Sequence, residues 1–175
     1  MIQAQERASR FLAEAGIILT PDEAANIEVV DHGLNRVEDE GLEIVTYINN
    51  DRYCGKELVM FPGQTCPEHR HPPFEGNPGK QETFRCRKGL VWLYIEGEPA
   101  PKIQAKVPEA SSSYYTAFHE IELRPGEQYT IPRNTLHWFQ AGPEGAIVSE
   151  FSSASRDEFD FFTNPNIRRA TVIED

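Results

Sequence analysis

Cysteine is scarce: Cys54, Cys66 and Cys86 are the three thiols in 175 residues, and no two stand in the C-x-x-C spacing of zinc or redox sites. An odd count also argues against a disulfide framework, so they read as reduced packing residues. Long apolar runs are absent, and no stretch approaches the ~20 residues that a membrane helix requires. Basic residues are in deficit, 17 against 28 acidic ones, for a formal net charge of −11. That sign argues against nucleic acid or an anionic membrane as partner, since both are polyanions. The opening stretch "MIQAQERASRFLAEAG" is amphipathic and carries acids, unlike a secretion signal or transit peptide. Cytoplasm is the expected setting.

What is present is ordinary globular material, 39% hydrophobic and 26% charged, and residues 1–175 are expected to form one domain. Residues 1–30 read as an N-terminal helical segment, with Phe11, Leu12 and Ala15 continuing an apolar stripe from Ala4 and Ala8. "TPDE" then offers Thr20 as N-cap, Pro21 at the first helical position and Glu23 to close a capping box, opening a short helix through Ile27. From residue 41 to 155 the texture changes to short alternating runs stopped by Gly and Pro. "LEIVTYIN", "KELVMF", "QETFRCR", "LVWLYIEG", "YYTAFHEIEL", "QYTIP", "LHWFQA" and "AIVSEFSS" are the expected strands. The fold class is therefore mainly β, a barrel or double-sheet sandwich. Residues 99–113 form a Pro/Ser-rich loop within it, and residues 156–175 a C-terminal extension whose polar tail after Thr163 is expected along the surface or toward a partner subunit.

The stretch "EHRHPPFEGNPGKQETFRCRKG" carries the chemistry. In an extended strand, residues two apart face the same way, so His69 and His71 point together, and so do Lys80, Glu82 and Phe84. Imidazole and carboxylate are a ligand vocabulary for divalent metals. "PGEQYTIPRNTLHWFQAG" supplies a fourth candidate, His137. Taken singly, an H-x-H in a loop is ordinarily solvated surface, Glu82 a solvated charge and His137 a satisfied core histidine. The arrangement argues otherwise: all of them fall inside two glycine-framed patterns.

Gly63, His69, His71, Glu82 and Gly89 resemble the first cupin motif, and Gly126, Pro132 and His137 the second. Two departures stand out. The insertion "PPFEGNPGKQ" separates His71 from Glu82, and Asn134 replaces the usual glycine, which the left-handed backbone tolerates. "DRYCGKELVMFPGQTCPEHRHPPFEGNPGKQETFRCRKG" and "YTIPRNTLHWFQAG" are similar to the small bacterial D-lyxose isomerases, and the likeness runs from the N-terminal helices to "SEFSSASRDEFDFFTNP". The resemblance implies a single-domain cupin, a double-stranded β-helix or jelly-roll barrel with N-terminal helices. It also implies one divalent metal ion per subunit, manganese favoured over zinc, cobalt, iron or nickel, held by His69, His71, Glu82 and His137. The activity implied is interconversion of D-lyxose and D-xylulose, with D-mannose and D-fructose, by proton transfer through a metal-stabilised cis-enediolate. The partner implied is a free sugar, in a homodimer.

Such a reaction needs a base near C1 and C2 and a group that shuttles protons between oxygens. Glu150, a carboxylate in the apolar strand "AIVSEFSS" sharing a face with Val148, is the leading base, and Lys80 the second candidate. The two form an acid/base pair and would also contact substrate. Asp160 is expected to bind distal hydroxyls or to cap a turn. Trp92, Tyr94, Trp138 and Phe139 read as barrel wall, His32 and His119 as structural. The competing functions are an iron-dependent cupin dioxygenase and a non-catalytic sugar-binding cupin. Proton transfer needs Lys80 and Glu150, and an oxygenase does not.

Overall fold

The computed structural model describes residues 2–169; residues 170–175, the end of the expected C-terminal extension, lie outside the described residues. Helix α1 spans Ile2–Glu14 and α2 spans Pro21–Ala25. The capping box forms as its residues dictate: the Thr20 hydroxyl accepts from the Glu23 amide, and the Glu23 carboxylate accepts from the Thr20 amide at 2.7 Å. The segment is not helical as far as residue 30, however. Strand β1, Glu28–Val30, pairs with β2, Leu42–Asn49, which offers these backbone groups a ladder that a continuing helix would forgo.

The remaining strands are β3 (Cys54–Met60), β4 (Thr65–Arg70), β5 (Glu82–Ile95), β6 (His119–Leu123), β7 (Gln128–Ile131), β8 (His137–Ser152) and β9 (Phe161–Phe162). All pair antiparallel, in the order β1-β2-β3-β8-β4-β9, with β5 joined to β6, β7 and β8. The two long strands, β5 and β8, run beside each other and belong to both halves of a curled sheet. This is a mainly β cupin barrel with N-terminal helices.

Two expected strand breaks are bulges. "QETFRCR" and "LVWLYIEG" join as β5, with the register shifting between Cys86 and Lys88 and between Gly89 and Val91. "LHWFQA" and "AIVSEFSS" likewise join as β8. Gly89 is a point of close approach rather than a turn. At φ 76°, any Cβ there would lie 1.9 Å from the Gly145 carbonyl oxygen, so only glycine lets the two long strands pass. Strand β4 went unread among the alternating runs because Pro67 interrupts it, at the bulge between Cys66 and His69.

Apolar surface is buried in three places. The barrel interior holds Leu58, Met60, Phe84, Leu93, Ile131, Phe139 and Val148, with Cys66 and Cys86 among them as packing residues. On the outside, Ala8 and Leu12 of α1 lie against Val45, Val59 and Ile147, at roughly 1.5–3 kcal/mol per large buried side chain. A third cluster, Tyr94 stacked on Trp138 at 4.1 Å, is roofed by Ala105, Tyr115 and Ala117 of the long loop. Strand parity thus sends Trp138 outward and Phe139 inward. Both are wall residues, on opposite faces.

Candidate functional site

The barrel brings together side chains far apart in sequence. His69 on β4 sits opposite His137 on β8, and Glu82 opens β5 opposite Ser152 at the other end of β8. His71 follows β4 by one residue and keeps its facing. Potential ligand atoms of His69, His71, Glu82 and His137 all lie within 4.8 Å of one another. The four residues are buried, between 1% and 8% exposed. So many polar groups with so little water need a common partner.

Their hydrogen bonds set which ring nitrogens face the cluster. The Nδ1 of His69 lies 2.8 Å from the Pro67 carbonyl oxygen, and that of His137 lies 2.9 Å from the Thr135 carbonyl oxygen. A carbonyl only accepts, so each Nδ1 carries the proton and each Nε2 presents a lone pair to the cluster. The third imidazole, His71, places Nδ1 at 2.5 Å from Asp160 Oδ1 and Nε2 at 3.1 Å from Glu82 Oε1. Carbonyl or carboxylate behind Nδ1 is the arrangement that orients metal-binding imidazoles. His137 Nε2 lies 2.9 Å from Glu82 Oε1 without hydrogen-bonding geometry and is otherwise an orphaned buried atom. On the chemistry of this donor set, a divalent cation fits.

The electrostatics leave Glu82 ionised and His69 neutral, as ligands must be, whereas His71 has a proton to release on binding a cation. Burial pushes the Glu82 carboxyl up, but Lys80 and His71 outweigh that and hold it well below the usual carboxylate range. His71 is raised to about 9: burial and the Lys80 charge lower it, while Glu82 and the Asp160 bond prevail. His69 is driven well below the usual histidine range by burial, with His137 and His71 adding repulsion. Lys80 bridges the cluster to Glu150: its Nζ is 2.8 Å from Glu82 Oε2 and 2.5 Å from Glu150 Oε1. Burial alone would lower the Lys80 pKa, but those two carboxylates hold it well above the usual lysine range, so it is an ammonium. Glu150 faces into the barrel as strand parity predicts, in register with Lys56 of β3 and Phe84 of β5.

A family model described as D-lyxose isomerase matches residues 21–175. The chain belongs to the D-lyxose isomerase family. It is 63% identical over 172 residues to the D-lyxose ketol-isomerase of Cohnella laeviribosi, covering 98% of this chain and 94% of that one. It is 62% identical over 173 residues to the D-lyxose/D-mannose isomerase of Thermosediminibacter oceani, covering 99% and 96%. Among solved structures, the L-ribose isomerase of Cellulomonas parahominis with L-ribose superposes with a TM-score of 0.79 at 16% identity, over 94% of this chain and 91% of the other. That of Geodermatophilus obscurus gives 0.64 at 16% identity, over 94% and 85%. These distant structures share the fold. Family membership makes the chain an enzyme, an intramolecular oxidoreductase of the sugar isomerase class.

In this isomerase-family chain His69, His71 and Glu82 of the cluster line a cavity of about 50 Å³. A larger one of about 470 Å³ adjoins it, with His71, Lys80 and Asp160 bordering both. Phe74 and Phe159, which line the larger one, stack at 3.6 Å. Asp160, expected at the hydroxyls, engages His71 while also lining both cavities. The sequence reading missed Lys56, Asp157 and Arg169, which form an ion-pair chain on the inner wall: Lys56 to Asp157 at 2.9 Å, Arg169 to Asp157 at 3.0 Å. Inward parity on β3 could have flagged Lys56; no local pattern marks the other two. Asn134 adopts φ 55°, as its place in the motif requires. Gln140 turns away from the cluster to Thr65 and Lys106, and His119 is an exposed residue.

Proposed function

We propose that this chain is a divalent-metal-dependent isomerase that interconverts D-lyxose and D-xylulose, and also D-mannose and D-fructose. The observation that carries the reading is the Lys80 ammonium, bridging the carboxylate of a three-His, one-Glu group to the buried Glu150. The names of the relatives, D-lyxose ketol-isomerase and D-lyxose/D-mannose isomerase, supply the sugars.

His69, His71, Glu82 and His137 would hold the ion, with manganese the family-implied choice; zinc, cobalt, iron and nickel also suit imidazole and carboxylate. When bound, the ion would supply Lewis acidity at the reacting end of the open-chain sugar. Glu150 takes the proton from C2 and returns it to C1, giving an enediolate in between. Lys80, held as an ammonium, faces the charge that develops on the oxygens. It gives a proton to the C1 oxygen and receives one from the C2 hydroxyl, so the proton count balances. Asp160 fixes His71 and meets the distal hydroxyls along the cavity. An oxygenase using the same ligands would leave the Lys80–Glu150 pair without a task.

The test is to supply the manganese-loaded protein with free D-lyxose and D-mannose, and separately with their phosphates, and to follow ketose formation. Ketose from the free sugars, with kcat/KM well above that for the phosphates, is expected. Preference for phosphosugars, or oxygen uptake without ketose, would overturn the reading. The family resemblance further implies a homodimer in the cytoplasm, and light scattering of the purified protein tests the dimer.

A further inference from the structure

His32 lines the same cavity as His69, His71, Lys80, Glu82 and Glu150, yet belongs to neither the ligand cluster nor the proton-transfer pair. It is 3% exposed, and both its ring nitrogens are buried without a hydrogen-bond partner among the described residues. Its charged neighbours on that wall are engaged: Lys56 with Ser155 and Asp157, Arg169 with Glu28 and Asp157. A buried imidazole with neither nitrogen satisfied is costly, nothing among the described residues offsets that cost, and such groups are rare without a function.

Its position is fixed. The backbone at His32 adopts φ 57°, uncommon for a residue with a side chain. Its carbonyl oxygen accepts from the Arg168 amide at 2.9 Å, and the Asp31 carboxylate accepts from the Gly33 amide at 2.8 Å. The ring meets Phe162 edge-on with centroids 5.5 Å apart, and Phe162 is also 5.5 Å from the His69 ring. His32 therefore looks into the chamber from beyond the aromatic side chain that flanks the ligand cluster. Burial, with Arg169 adding to it, pushes its pKa down to about 3, so the ring is neutral. A neutral imidazole offers one N–H and one lone pair, a complement to hydroxyl groups, which both donate and accept.

We propose that His32 contacts the substrate, holding a sugar hydroxyl remote from the C1–C2 end that the ligand cluster handles. The identity of that hydroxyl's owner rests on the isomerase reading above; the buried, unpartnered imidazole does not.

His32→Phe keeps a ring and removes both nitrogens, while His32→Asn tolerates the left-handed backbone but is shorter. Both should bind manganese stoichiometrically, and thermal melts establish which are folded. The measurement is kcat/KM for D-lyxose and for its 4-deoxy and 5-deoxy analogues. The unaltered enzyme should lose roughly three- to tenfold when the hydroxyl that His32 holds is deleted, the range for one neutral hydrogen bond. The variants should lose a similar factor on D-lyxose and nothing further on that analogue. If unaltered enzyme and variants discriminate equally against both analogues, His32 satisfies itself through water and the proposal is overturned. Should no free aldose react even with the unaltered enzyme, the isomerase reading fails instead. Calorimetric binding of the pentitol D-arabinitol then still decides: weaker binding in the variants supports the contact, and equal or no binding overturns it.

Discussion

Lys80→Met should make the protein's stability depend on metal. The Lys80 ammonium is 8% exposed and sits between two carboxylates, at 2.8 Å from Glu82 and 2.5 Å from Glu150. Removing it leaves two buried negative charges facing each other across a volume that methionine fills. Breaking a buried ion pair by deleting one partner costs about 3–5 kcal/mol. Lys56 offsets part of that, since it stands opposite Glu150 in the β3–β8 register. The lower end, about 3 kcal/mol, is therefore expected, or roughly 6–12 °C in Tm for a chain of this size. Manganese held beside Glu82 supplies positive charge where the ammonium was lost, so saturating ion should restore a large part of the deficit. Urea and thermal melts of both proteins, stripped with chelator and then reloaded, measure the four values. An unchanged melting point in stripped Lys80→Met would refute the buried bridge. An equal deficit with and without metal would show that Glu82 does not share its charge with the ion.

Three further outcomes follow from the same geometry. Glu150→Gln keeps the shape but removes a usable base, so metal content should survive while kcat falls about 10²–10⁴-fold; ketose formed in D₂O should carry deuterium at C1, and full activity in the variant would sink the assignment. His137→Ala removes a buried imidazole from the cluster and should lose most bound metal, read by elemental analysis, with affinity in the unaltered protein falling as pH drops below about 9, where the ion must displace the His71 proton. Glu43, 0% exposed with one oxygen unpartnered, is raised by burial from 4.5 to about 8, so the folded state holds its proton longer than the unfolded chain does. Stability from this group is therefore full below pH 4.5 and lost as pH rises toward 8, and Glu43→Gln should flatten that part of a urea-stability profile; an identical slope in both proteins would exclude Glu43 as its source.

Local rules carried the sequence a long way. The alternation of Lys80, Glu82 and Phe84 put an ammonium and a carboxylate on one face, and the structure has them in contact. "TPDE" specified its helix start because a capping box is settled within four consecutive residues. The carboxylate of Glu150 stood out in the apolar strand "AIVSEFSS", on the face that parity shares with Val148. What those rules could not do is separate a bulge from a turn. "RKGL" and "GPEG" punctuate the chain as hairpins do, yet β5 and β8 run through them, because pairing between two long strands outweighs the local preference to reverse. Nor could they set register. Lys56 opposite Glu150, His69 opposite His137 and the reach of Asp160 to His71 all depend on strands distant in sequence closing one barrel. His32 is the plainest case. In "VVDHG" nothing distinguishes it from a solvated loop histidine; only the return of Phe162, Arg168 and Arg169 from the far end of the chain buries it beside the site. Side-chain facing repeats every two residues and is written locally, whereas which faces meet is decided by long-range pairing, and only the folded chain supplies it.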